Sequence, residues 1–363
     1  MVDKLKVLIV DDSRIFRSAL EEALKNEAGI EVVGSVWNGV KALEYIRKSP
    51  PDLVTLDVEM PEMDGLTTLR AIQRFNEEKQ GPPDIGVIMV SSHTHSGADA
   101  TIKALEAGAF DFVKKPEGES ASSGVKLLRE LLAPRMRNFA FKAKKRAPKT
   151  TPPVSTPGKL KKEETSPGKI LLPGVKEVVV IGVSTGGPKA LVLMLPGLCE
   201  VVNIPILIVQ HMPPLFTKSL ADSLDSKCSA KVVEAKNDQK VANSHVYIAP
   251  GGQHMLVRRN EQQEVVLALN TQSPENGCRP SVDVLFRSAA MTYKKHVIAI
   301  ILTGMGNDGT KGLGPLKRAG ASVIVQDEAT SVVWGMPGSA VESGLVDRIA
   351  PIEKIAETVQ GII

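Results

Sequence analysis

The chain is expected to fold as two doubly wound, parallel-sheet α/β units joined by a linker. Short apolar runs alternate with amphipathic stretches over residues 4–134 and again over 175–363, the pattern of strands and helices wound into a parallel sheet. The intervening segment, 135–174, changes composition abruptly. The length of 363 residues suits two domains, each large enough to bury its own core.

In the first unit the strand-like runs are KVLIV (6–10), EVVGSV (31–36), DLVTL (52–56), IGVIMV (85–90) and DFV (111–113). Helix-like segments begin near Arg14, Gly39, Leu66 and Gly97, with a last one after Ser122. Aromatic residues are only 4% of the chain, so the cores must rest on Val, Ile, Leu and Met. Residues 135–174 are rich in Lys, Arg and Pro and hold only two acids, Glu163 and Glu164. Such a segment buries too little surface to offset its ordering entropy and reads as a tether. The second unit carries EVVVIGV (177–183), IPILIVQ (204–210), HVYIAP (245–250), EVVLAL (264–269), HVIAIIL (296–302) and SVIVQD (322–327). HVYIAPGGQHMLV followed by EVVLALN suggests a β-hairpin added to an otherwise parallel sheet.

Several function classes are disfavoured. The cysteines, Cys199, Cys228 and Cys278, are odd in number and form no CxxC pair, which argues against a disulfide framework or a cysteine zinc site. A reducing, cytoplasmic setting follows. The start, MVDKLKVLIVDD, runs directly into a strand-like stretch without a signal-peptide core. Runs such as VIAIIL (297–302) are too short to span a bilayer, so membrane insertion is not expected. The net charge of +4 sits largely in the tether, and a nucleic-acid partner is not expected either.

Sites on parallel sheets form beyond the carboxyl ends of the strands. In the first unit those ends carry Asp11 and Asp12, Asp57, Ser91 and Lys115. Packed carboxylates repel, and a hard divalent cation relieves the repulsion. Mg²⁺ suits the site because it needs only one or two carboxylates plus phosphate oxygens. A carboxylate can also form an aspartyl phosphate, which Lys115 and the Ser91 hydroxyl would contact. The simpler alternative is that Asp11 and Asp12 cap the first helix.

The second unit's strand ends carry Ser184, followed by TGGP, then His211, and Asp308 in TGMGNDG. A serine hydroxyl needs a base to take its proton, and the base needs an acid to fix its tautomer. Ser184, His211 and Asp308 supply those roles. The glycines flanking Met305 leave its N–H free to face a developing oxyanion. The segment has neither the GxSxG of common esterases nor the GK[ST] of a P-loop. Taken singly, each of the three residues also reads as a cap, a structural histidine or a turn.

VDDS, LDVEMPEMDG, MVSS and FVKKP resemble the response-regulator receiver domain. That resemblance implies a flavodoxin-like unit with Asp57 as phosphoacceptor and Asp11, Asp12 and Asp57 at the Mg²⁺ site. It also implies Ser91, Phe112 and Lys115 as switch residues. GVSTGGP, QHMP, YIAPGGQHM, RPSVDVLF and TGMGNDG resemble, in order, the catalytic domains of chemotaxis methylesterases, a Rossmann-like hydrolase unit. That resemblance implies the triad Ser184, His211 and Asp308, Met305 as oxyanion donor, and Thr185, His254 and Arg279 as site-lining residues. Expected together are demethylation of glutamyl methyl esters on methyl-accepting chemoreceptors, deamidation of certain receptor glutamines, and a chemotaxis histidine kinase as phosphodonor. The hydrolase itself should need no cofactor, and the unphosphorylated receiver should hinder its site. The rival functions are a response regulator with a DNA-binding output and one with a non-catalytic docking output.

Overall fold

The computed structural model describes residues 4–78, 84–92, 94–116, 121–146 and 175–363. The first unit runs β1 (Leu5–Val10), α1 (Arg14–Leu24), β2 (Ile30–Val36), α2 (Gly39–Lys48), β3 (Leu53–Asp57), α3 (Gly65–Glu78), β4 (Gly86–Ser91), α4 (His95–Glu106), β5 (Asp111–Lys114) and α5 (Ala121–Arg146). Its sheet has the order β2-β1-β3-β4-β5, with every described pairing parallel. The winding reverses between β1 and β3, so Asp11 and Asp57 end up side by side at the carboxyl edge. The N-cap of α1 is Ser13, whose hydroxyl accepts from Phe16 N at 3.3 Å. That answers the capping alternative for Asp11 and Asp12.

α5 corrects the expected boundary. Residues 135–146, expected to open the tether, continue the helix, while 147–174 lie outside the described residues. The reason is pairing and packing. Leu128, Leu132 and Met136 are buried, and Phe139 meets Phe110 edge-on at 5.3 Å, a contact worth about 0.5–1.5 kcal/mol beyond its area. Two of the basic residues that suggested a tether are engaged: Arg135 pairs with Asp111 at 2.9 Å and Arg137 with Glu27 at 2.6 Å.

The second unit runs β6 (Val178–Val183), α6 (Gly187–Val201), β7 (Ile206–Gln210), α7 (Phe216–Asp225), β8 (Lys231–Glu234), β9 (His245–Ile248), β10 (His254–Arg259), β11 (Val265–Asn270), α8 (Val282–Tyr293), β12 (Val297–Ile301), α9 (Thr310–Ala319), β13 (Ser322–Gln326), α10 (Gly335–Glu342), β14 (Arg348–Ala350) and α11 (Ile355–Gln360). Its seven-stranded sheet, β14-β13-β12-β6-β7-β9-β8, is parallel in every described pairing. β6, β7 and β12 are buried throughout, as expected of central strands covered by helices on both faces. The hairpin differs in detail from expectation. β9 joins the parallel sheet, and β10 and β11 pair antiparallel as a separate two-stranded sheet.

Candidate active site

Ser184, His211 and Asp308 follow three neighbouring strands, β6, β7 and β12, and meet at one sheet edge. Ser184 sits on the turn between β6 and α6. Its N–H donates to Thr303 O at 3.0 Å, and its carbonyl accepts from Gln210 Nε2 at 2.9 Å. Two glycines make this turn possible. Gly186 has φ +78°, and a side chain there would overlap Val332; a Cβ on Gly304 would lie 2.8 Å from the Ser184 Cβ. The half-buried Ser184 hydroxyl has no hydrogen-bond partner among the described residues, so it remains free to react.

Asp308 is the most constrained of the three. It is buried, and its carboxylate accepts from Ser281 Oγ (2.8 Å), Asn276 Nδ2 (2.8 Å) and the N–H groups of Val282 (2.7 Å), Asp283 (3.2 Å) and Gly309 (3.1 Å). Val282 and Asp283 open α8, so the helix dipole adds to the stabilisation of the charge. The remaining partner is His211 Nε2, at 2.8 Å from Asp308 Oδ2. Burial opposes ionisation of Asp308, but the His211 bond and then the backbone donors outweigh it and hold the carboxyl well below the usual range. Burial likewise opposes a charge on His211, yet its bonds to Asp308 and Cys278 raise the imidazole to about 9. With Nε2 committed to Asp308, Nδ1 is the nitrogen left for proton transfer, and it lies 3.6 Å from Cys278 Sγ.

Met305 lies on the loop after β12, and among the described residues its N–H meets no backbone acceptor. Thr185 and Arg279 line the same cavity of about 470 Å³ as Ser184, His211 and Met305. His254 does not. Its ring is buried behind the site, with Nε2 on Ser273 O (3.1 Å) and Nδ1 accepting from Ser281 N (3.2 Å). It supports the loop that holds Asp308. Sequence reasoning missed Gln210, Asn276, Cys278 and Ser281.

The other wall of the cavity comes from the first unit: Asp111, Phe112, Val113, Leu131 and Arg135. Asp111 Oδ2 accepts from Thr185 Oγ1 at 2.8 Å while paired with Arg135. The Phe112 ring stacks on Phe216 with centroids 4.7 Å apart. Asn138 of α5 touches Met305 Sδ, and Lys142 Nζ donates to Ser331 O at 3.1 Å. Glu106 of α4 accepts from Ser223 Oγ and pairs with Lys227 at 3.2 Å. Thus α4, β5 and α5 lie over the edge that carries Ser184.

At the first unit's own edge, carboxylate oxygens of Asp11, Asp12 and Asp57 lie within 4.8 Å of one another. Lys115 Nζ lies 2.7 Å from Asp57 Oδ2 and 2.7 Å from Asp11 Oδ2. The contact to Asp57 is a hydrogen bond. Asp11 Oδ2 is buried, and among the described residues the Lys115 ammonium is the cation that it faces; a carboxylate oxygen so placed, with no well-aligned donor, suits a cation ligand. Burial and then the Asp11 charge raise the Asp57 carboxyl to about 6 against the opposing pull of Lys115. Ser91 Oγ donates to Gly97 O at 3.2 Å in the first turn of α4.

No described helix is long and apolar enough to cross a membrane. A family model described as CheB methylesterase matches residues 179–359, and one described as response regulator receiver domain matches 7–122. A relative from Desulfotalea psychrophila, named protein-glutamate methylesterase/protein-glutamine glutaminase, is 42% identical over 98% of this chain and 97% of its own length. One of the same name from Pyrococcus horikoshii is 39% identical over 98% of this chain and 93% of its own. The crystal structure of the Thermotoga maritima CheB methylesterase catalytic domain is 44% identical to this chain. It matches 52% of this chain and 100% of that one, with a TM-score of 0.50. Two successive domain matches and full-length identity near 40% place the chain in the protein-glutamate methylesterase/protein-glutamine glutaminase family, with a receiver domain preceding the methylesterase domain.

Proposed function

We propose that the protein is a phosphorylation-regulated hydrolase that demethylates glutamyl methyl esters on methyl-accepting chemoreceptors in the cytoplasm and deamidates particular receptor glutamines. The observation that carries the reading is the Asp308–His211 bond beside an unpartnered Ser184 hydroxyl, at the joint edge of β6, β7 and β12. Ser184 Oγ attacks the side-chain acyl carbon while Nδ1 of His211 takes its proton. The Met305 N–H faces the resulting oxyanion; one such donor is worth about 10²–10³ in rate. Collapse expels methanol, or ammonia from glutamine, which leaves with the proton returned by His211. Water then hydrolyses the Ser184 ester by the same steps reversed, giving glutamate and free enzyme. Thr185 and Arg279 shape the cavity wall.

Control lies with the receiver. Asp57 takes a phosphoryl group from the chemotaxis histidine kinase. Asp11, Asp12 and Asp57 hold Mg²⁺, which supplies charge neutralisation for phosphoryl transfer when bound; Lys115 balances the phosphoryl oxygens. The cavity between the domains favours inhibition of the unphosphorylated enzyme. Asp111, Phe112, Leu131 and Arg135 of the receiver wall the cleft onto which Ser184 opens, so a receptor helix reaches the Ser184 hydroxyl only when the receiver moves aside. Phosphorylation draws the Ser91 hydroxyl from Gly97 O and moves Phe112, and the Phe112–Phe216 contact loosens. A DNA-binding output would need a helical reader with a basic face, and the parallel sheet of the second unit offers none. Methanol release from methylated receptor membranes tests the reading. Wild type should turn over and Ser184→Ala should not; more than a few per cent of the rate remaining in Ser184→Ala overturns Ser184 as nucleophile.

A further inference from the structure

Cys278 and His211 are 67 residues apart in sequence and meet only in the fold. The cysteine is held on a tight turn. Asn276 and Gly277 have positive φ (52° and 75°), and Glu275 and Cys278 exchange backbone bonds across them at 3.1 and 2.9 Å. An Asn-Gly pair with both residues at positive φ is the usual two-residue hairpin turn. Its flanks are tied down. Glu275 forms a two-point pair with Arg287 of α8 (2.7 and 2.6 Å), and Asn276 Nδ2 bonds both Asp308 and Asp283 at 2.8 Å. The imidazole is equally fixed, through Nε2, by Asp308. Neither ligand atom needs to be ordered on binding.

The distance between them fits chelation. Zinc–nitrogen bonds of about 2.0–2.1 Å and zinc–sulfur bonds of about 2.3 Å, at a tetrahedral angle, put the two ligand atoms about 3.5–3.6 Å apart. His211 Nδ1 and Cys278 Sγ are 3.6 Å apart. A metal-binding imidazole characteristically donates its other N–H to a carboxylate, which fixes its orientation and strengthens it as a ligand; Asp308 occupies that place. The open side is the cavity that Cys278, His211 and Ser184 all line, where water completes the coordination shell. Thiolate and imidazole together select soft and borderline cations over Mg²⁺.

We propose that His211 and Cys278 form a chelating site for a thiophilic divalent cation such as Zn²⁺, and that the bound cation shuts off the hydrolase by taking the lone pair of His211 Nδ1. The inhibitory half rests on reading Nδ1 as the catalytic base; the binding half does not. Coordination breaks the S–H bond of Cys278 and releases its proton to solvent, and the nitrogen and sulfur lone pairs form the new bonds.

Co²⁺, a spectroscopic substitute for Zn²⁺, is titrated into the full-length protein and the thiolate-to-cobalt charge-transfer absorption is read. The acidic site of the receiver holds no sulfur and is silent in this band. Wild type should show it, Cys228→Ser should retain it, and Cys278→Ser should lose it. The Zn²⁺ affinity of Cys278→Ser, measured by competition with a chelating dye, should fall at least about 10- to 100-fold, the loss that even an outer-shell partner brings. Zn²⁺ should slow methanol release by wild type, reversibly with chelator. It should slow Cys278→Ser far less, each compared with its own metal-free rate. Absence of the band, or equal affinity in Cys278→Ser, overturns the site. A Cys278-dependent band with Zn²⁺-indifferent turnover leaves the chelate standing and overturns the inhibition, and with it Nδ1 as the base.

Discussion

Reversing the charge of Glu106 should release the hydrolase without phosphorylation. Glu106 lies at the end of α4 and reaches across the domain boundary to Ser223 and Lys227. All three side chains lie near the surface of their own domains, so Glu106→Lys attacks the interface and leaves both cores intact. Partly exposed ion pairs contribute up to about 1 kcal/mol, and a hydrogen bond to a charged acceptor somewhat more. Losing both and opposing Lys227 with a like charge shifts closure by about 2 kcal/mol, a factor of roughly 30 in the closed-to-open ratio. The assay is methanol release from methylated receptor membranes without phosphodonor, with the 175–363 fragment as the ceiling. Glu106→Lys should rise toward that ceiling and gain less from phosphodonor than wild type. Adding Lys227→Glu re-forms the pair with its charges exchanged and should restore the low rate, since Ser223 can accept as well as donate. An unchanged rate in Glu106→Lys, or no restoration in the double variant, refutes the reasoning that this contact holds the enzyme closed.

Three further outcomes follow from the site. Asp308→Asn should be roughly 10²-fold less damaging to turnover than Ser184→Ala, because the aspartate orients and stabilises His211 without transferring a proton; equal losses would show that the fold of the loop, and not its charge, had failed. The base must be neutral to act, and Asp308 and Cys278 hold His211 up at about 9. The kcat/KM of the 175–363 fragment should therefore climb about tenfold per pH unit below that value and level off above it. A profile already flat by pH 7 would contradict this. Small phosphodonors should label the wild-type receiver only with Mg²⁺ present, and Asp57→Asn should take no label; labelling indifferent to a chelator contradicts the assigned acidic site.

What was legible in the sequence follows from how each residue is held. Ser184, His211 and Asp308 stand at or just beyond the ends of buried parallel strands, and such strands are continuous apolar runs whose ends can be read directly. The acidic cluster was legible for the same reason. Cys278, Asn276 and Ser281 lie on the loop between β11 and α8, which has no periodicity and owes its position to Asp308, Arg287 and His254. His254 was misjudged because a histidine in a motif beside the site looks the same in sequence whether it faces the cavity or supports a loop. The extension of α5 was hidden by charge: its lysines and arginines suggested a tether, although Met136 and Phe139 continue the apolar stripe begun at Leu128 and Leu132. The strands β8 and β14 were too short and too near the sheet edges to stand out from their surroundings.

The central claim is that Ser184 is an activated nucleophile lying beneath the receiver. A fluorophosphonate, which loses fluoride to an activated serine, tests both parts at once when labelling of the full-length protein is followed by peptide mapping, with and without phosphodonor. The account predicts a single labelled residue, Ser184, modified slowly by default, faster after phosphorylation, and fastest in the 175–363 fragment. Label on another residue, or equal labelling rates in all three states, would contradict it.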